Sequence, residues 1–131
     1  MSTTATKTLP VKQELKAILE AYVANAGLTG QDAIISFKDP NYSAEQGGFH
    51  PVEIHRCADG SIYYITDFSY QGWPPYAELV KELDFDFGLG LFQQGGRDFP
   101  IEKGRELFKI WQQNFLAYYE MSVYRVTAQA A

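Results

Sequence analysis

The residue types able to hold a soft metal or act as a nucleophile are few in this sequence: His50, His55 and a single cysteine, Cys57. A zinc site holds convergent side chains, usually four, so at least one further ligand would have to come from Asp67 or Glu53. On an extended chain His55 and Cys57 share a face, whereas His50 has the opposite parity. The plain reading is a half-exposed strand face carrying a histidine and a small thiol. As a Cys–His nucleophile the pair needs a base within hydrogen-bond reach of the thiol. Residues two apart on a strand stand about 7 Å apart at Cα, which is awkward for proton transfer, and no motif surrounds Cys57.

Two other stretches could bind. Glu82, Asp84 and Asp86 form an acidic row with the spacing of a divalent-cation or carboxylate-pair site. Strand alternation alone explains them, because Leu83, Phe85 and Phe87 on the opposite face must be buried. An exposed acidic strip also discourages edge aggregation and can dock a basic partner. Trp73-Pro74-Pro75-Tyr76 is the strongest binding candidate: the prolines stiffen a loop that presents two aromatic anchors. Trp73 either stands out as such an anchor or folds back as a lid over the core. The pairs Gly88/Gly90 and Gly95/Gly96 match no phosphate-binding or dinucleotide fingerprint.

The elements that position these residues centre on FHPVEIHRCADGSIYYITDFSY, residues 49–70. Ala58-Asp59-Gly60 closes a three-residue hairpin turn, with glycine in the left-handed conformation. That register pairs Cys57 with Ser61, His55 with Tyr63, Glu53 with Ile65 and Pro51 with Asp67. Val52, Ile54, Ile62, Tyr64, Thr66, Phe68 and Tyr70 then share the buried face. Upstream, the apolar residues Val11, Leu15, Ile18, Leu19, Tyr22 and Val23 recur at helical spacing, predicting a helix over residues 10–26 that stops at Gly27. A strand is expected at residues 33–37 and a loop, KDPNYSAEQGG, at 38–48. Residues 79–92 alternate as one long strand with a bend at Gly88 or Gly90, and residues 93–98 turn the chain. Pro100 opens a second helix whose stripe of Ile101, Leu107, Phe108, Trp111, Phe115 and Tyr118 is broad enough to be gripped by the sheet or by another subunit. Residues 123–128 close as a strand. The order is α+β: an N-terminal helix, a twisted antiparallel sheet of five to six strands, and a C-terminal helix followed by a last strand.

Composition sets the outer bounds. A chain of 131 residues forms one domain by the usual prior and buries roughly two-thirds of its unfolded surface. Residues 1–9 are expected to be a leader without structure, and residues 10–131 the domain. One cysteine excludes an internal disulfide, and neither an apolar signal region nor a membrane-spanning run is present, so a soluble cytoplasmic protein is expected. The net charge of −5 argues against a nucleic-acid partner.

The motifs at residues 39–45 (DPNYSAE), 47–54 (GGFHPVEI), 65–68 (ITDF), 81–87 (KELDFDF) and 111–115 (WQQNF) resemble an uncharacterised bacterial family, domain-of-unknown-function family twenty-seven eighty-seven. The resemblance covers about residues 30–128 and implies a bacterial protein, often carried on mobile or pathogenicity elements. It further implies the fold of the mitochondrial acidic matrix proteins, in which terminal helices flank a twisted antiparallel sheet in a self-associating protein with many partners. The chain departs from that pattern by its final strand and by lacking a long acidic insertion. The resemblance supplies no catalytic residues.

With no complete catalytic set and no cofactor motif, the sequence points to a non-enzymatic interaction domain that self-associates and binds an unidentified protein. Its surface would comprise Trp73, Pro74, Pro75 and Tyr76 with Glu82, Asp84 and Asp86. The alternative is a small-molecule-binding protein or enzyme with a pocket between sheet and helices, lined by His50, His55, Tyr63 and Asp67.

Overall fold

The computed structural model describes residues 9–131. Residues 1–8 of the expected leader therefore lie outside the described residues, and Leu9 is already packed in the core. Helix α1 (Gln13–Asn25) is followed by strands β1 (Ala33–Lys38), β2 (Val52–Arg56), β3 (Ile62–Gln71), β4 (Glu78–Asp86), β5 (Leu91–Gln94) and β6 (Arg97–Pro100). A 3-10 turn (Ile101–Gly104) leads into helix α2 (Arg105–Glu120), and β7 (Arg125–Ala130) ends the chain. This is the α+β order read from the sequence, including the strand after the second helix, with seven strands rather than five to six. Two strands were not expected: the chain reverses at residues 87–90 to form a β4–β5 hairpin where one bent strand was expected, and the turn expected over residues 93–98 is confined to Gly95-Gly96, so that β5 and β6 pair across it.

All seven strands form one antiparallel sheet in the order β6-β5-β4-β3-β2-β1-β7. Its register writes the inside–outside division plainly. Ala128, Ile35, Ile54, Ile65, Phe85, Phe92 and Phe99 stand in one row across the whole sheet. Both helices cover that face through Leu15, Leu19 and Val23 of α1 and Phe108, Trp111 and Phe115 of α2. Edge-on aromatic contacts link sheet to helix, with ring centroids 5.0 Å apart for both Phe37–Phe115 and Phe85–Phe108. The adjacent row on the open face is wholly polar: Thr127, Ser36, Glu53, Thr66, Asp84, Gln93 and Asp98.

Helix α1 starts at Gln13, later than Pro10, and has no side-chain cap of its own. Its approach is held by the buried side chain of Gln112, whose Oε1 accepts from the Lys12 N–H at 2.8 Å. Further along the helix a half-exposed ion pair ties it to the sheet: Arg56 donates from Nε and Nη2 to the two oxygens of Glu20 at 2.8 and 2.6 Å. Pro100 ends β6 rather than opening α2, because a 3-10 turn intervenes.

Two bulges correct the expected faces. Next to the turn the predicted pairing holds, since Cys57 N–H donates to Ser61 O and Arg56 faces Ile62. The register then shifts between His55 and Arg56, so His55 faces Tyr64, Glu53 faces Thr66 and Val52 faces Asp67. An extra residue on β3 moves everything beyond it to the other face. Ile65 and Asp67 therefore join Val52 and Ile54 beneath the helices, while Tyr64, Thr66 and Phe68, expected inside, turn to the open face. The second bulge lies in β4. Asp67 pairs with Leu83 but Phe68 pairs with Lys81, leaving Glu82 as the unpaired extra residue. Among the described residues no helix is long and apolar enough to cross a membrane.

Candidate functional site

Between the middle of the sheet and α2 lies a hollow of about 320 Å³. Three of its residues come from separate elements: His50 from the loop before β2, Asp67 from β3 and Glu82 from the β4 bulge. His50 Nδ1 lies 2.8 Å from Asp67 Oδ1 and 3.9 Å from Glu82 Oε2. The outer oxygen of each carboxylate is held elsewhere. Trp111 Nε1–H donates to Asp67 Oδ2 at 2.8 Å, and the Ser69 hydroxyl donates to Glu82 Oε1 at 2.7 Å. Asp67 is only 7% exposed. The hydrogen bond to Asp67 raises the His50 pKa above the ordinary histidine value, against the opposing effect of burial. Tyr124 also lines the hollow, and burial, followed by the negative charge of Asp67, raises its hydroxyl pKa.

His55 lies in a second group, on the open face. Its Nε2 is 3.0 Å from Asp32 Oδ2, with Cys57 nearby. Hydrogen bonds from His55 and from the Ala58 N–H lower the Asp32 pKa. The metal reading that grouped His50, His55 and Cys57 is thus divided: His50 joins Asp67 and Glu82, whereas His55 and Cys57 join Asp32. The expected pocket divides the same way. His50 and Asp67 meet in the hollow, while Tyr63 lies against His55 at a tilt, ring centroids 5.3 Å apart, on the opposite face.

The acidic row is split by the bulge. Asp84 and Asp86 stay on the open face beside Glu53, Tyr63 and Tyr64, lining a shallower hollow of about 310 Å³ there; Glu82 does not. Asp84 accepts from the Thr66 hydroxyl at 2.8 Å, and burial raises its pKa despite that bond. Tyr64 donates to Glu53, and burial is the main reason its hydroxyl pKa rises. At the β3–β4 turn, Trp73 and Tyr76 are each 85% exposed, so Trp73 is no lid over the core. The turn is braced from below by Tyr42, whose hydroxyl accepts from the Tyr70 N–H at 2.9 Å.

Sequence reasoning missed the roles of Trp111, Ser69 and Tyr124 in the first hollow. One signal was legible: Trp111 lies on the apolar stripe of the second helix, and a buried indole N–H needs an acceptor.

The chain is similar to two solved structures from Vibrio cholerae. It shares 37% identity and a TM-score of 0.81 with the hypothetical protein VC0508 from the VSP-II pathogenicity island, covering 99% of this chain and 98% of that one. With the conserved hypothetical protein VC1805 from pathogenicity island VPI-2 it shares 36% identity and a TM-score of 0.78, covering 92% and 95%. VC1805 is described as sharing structural homology with the human P32 protein, the mitochondrial acidic matrix protein. No curated protein matches significantly. The family profile for proteins of unknown function DUF2787 matches residues 12–129, and the chain belongs to that family.

Proposed function

We propose that the domain is a non-enzymatic, cytoplasmic interaction module that binds a basic protein segment and also self-associates. One observation carries this reading: Trp73 and Tyr76 are 85% exposed on a loop stiffened by Pro74 and Pro75. Two large aromatics held out in solvent at low conformational cost are typical anchors of an interface. The open face supports a cationic partner, because Glu53, Asp84 and Asp86 stand beside Tyr63 and Tyr64 in a hollow with Lys81. Acidic groups among aromatic rings attract lysine and arginine side chains. The structural homology described for VC1805 and the human P32 protein supports a binding role and self-association. The free thiol of Cys57 suits a reducing compartment.

The test compares tagged wild type with the Trp73→Ala/Tyr76→Ala double variant in affinity capture from a bacterial lysate. The variant is expected to lose the captured protein while its Tm stays within about 2 °C of wild type. Equal capture, or a collapse in Tm, refutes the anchor role. Light scattering is expected to give a mass above that of one chain; a monomer at every concentration removes self-association.

A further inference from the structure

The hollow beneath α2 is independent of that surface and has a different chemistry. Among the described residues Asp67 is the only buried carboxylate, in a row where its neighbours across the sheet are Val52 and Leu83. A buried carboxylate needs a compensating charge. No lysine or arginine among the described residues lies within ion-pair distance of Asp67 or Glu82, and His50 is shared between them. The β4 bulge adds to this imbalance by turning Glu82, which regular alternation would leave on the open face, toward Asp67. Bulges that re-aim a side chain are characteristic of functional sites.

We infer that His50, Asp67 and Glu82 form a binding site for a divalent transition-metal ion. His50 Nδ1, Asp67 Oδ1 and Glu82 Oε2 are the ligand atoms. With metal–ligand bonds of about 2.1 Å, adjacent ligand atoms stand about 3.0 to 3.4 Å apart. The observed separations from Nδ1, 2.8 and 3.9 Å, bracket that range, and all three ligand atoms lie within 4.8 Å of one another. An entering ion replaces the proton between Nδ1 and Oδ1, and that proton leaves to solvent. Trp111 and Ser69 supply the outer hydrogen bonds that orient ligating carboxylates. One imidazole with two carboxylates suits manganese, ferrous iron or zinc better than calcium or magnesium, which take oxygen ligands. The remaining coordination positions face a hollow lined by Phe49, Asn114 and Tyr118.

Manganese is the probe, read by loss of the free-ion electron paramagnetic resonance signal, with zinc as competitor. The full chain is expected to bind one Mn²⁺, displaced by Zn²⁺. His50→Ala and Glu82→Gln each weaken binding at least about tenfold, and Ser69→Ala, which removes no ligand, weakens it about tenfold. His55→Ala/Cys57→Ser leaves it unchanged, which separates this site from the Asp32 group. Glu82 is partly exposed, so Glu82→Gln keeps the test decisive if His50→Ala does not fold. No binding at about 1 mM Mn²⁺ overturns the inference. So does binding that is indifferent to His50 and Glu82, or that is lost in the His55/Cys57 variant.

Discussion

Trp111 and Asp67, 44 residues apart in sequence, meet at 2.8 Å as indole N–H and carboxylate oxygen in the buried layer between α2 and the sheet. Each explains the other. The indole could not be buried without an acceptor, and Asp67 could not occupy an apolar row without a donor. Trp111→Phe keeps the ring packing but strands Asp67 Oδ2. Urea denaturation should show a loss of about 2 kcal/mol. A variant as stable as wild type would mean that the bond contributes nothing net.

Asp84 gives a pH signature. Burial raises its pKa, so the fold favours the protonated form. Its contribution is therefore complete below the unfolded carboxylate value, near pH 4, and is lost as pH rises through the higher folded value. Asp84→Asn keeps an acceptor for Thr66 without the charge. At pH 7 its Tm should exceed wild type by about 3 °C, and the gap should close by about pH 3. If Asp84 helps hold a basic partner, the same variant weakens capture while stabilising the fold. A lower Tm at neutral pH would contradict the burial argument.

The Arg56–Glu20 pair is unequal: the Arg56 side chain is 5% exposed and that of Glu20 47%. Removing the exposed partner strands the buried one. Glu20→Ala is expected to cost about 2 kcal/mol in chemical denaturation, more than an ordinary surface ion pair. Adding Arg56→Met should recover part of that loss, because no buried charge remains. Equal stability of Glu20→Ala and wild type would show that water satisfies the guanidinium.

Two glycines are required by close approach rather than by turn geometry. A Cβ at Gly104 would lie 2.8 Å from Phe92 Cγ, and one at Gly88 would lie 2.1 Å from Tyr63 Cε1. Phe92 is locked in the core, whereas Tyr63 is partly exposed and can swing away. Gly104→Ala should therefore cost about 2 kcal/mol and Gly88→Ala less, despite its shorter contact. The reverse order in thermal melts would show that the 3-10 turn yields more easily than the Tyr63 ring.

Both helices, most of the strands and the order of elements along the chain were legible because hydrophobic periodicity marks them directly. The positions of Glu82 and Asp67 were not. Each follows from one extra residue in a strand, and a bulge leaves the alternation of residue types almost unchanged while exchanging the two faces beyond it. The reversal at residues 87–90 was masked because Phe87 and Leu89 continue the pattern of Leu83 and Phe85 through the turn. His50 and His55 looked like partners because they are close in sequence, yet the β2–β3 sheet layer lies between their sites. Trp73 was open to two readings because a tryptophan beside prolines suits a lid or an anchor equally. Only its exposure decides.

That exposure also offers the most direct measurement. Trp73 and Trp111 are the chain's two tryptophans, so the fluorescence of Trp111→Phe reports Trp73 alone. In the dilute isolated domain, acrylamide should quench Trp73 nearly as freely as a solvated indole, and binding of the captured partner should shield it. A Trp73 already shielded in the isolated chain, or equally quenchable in the complex, would contradict its role as the anchor of the interface.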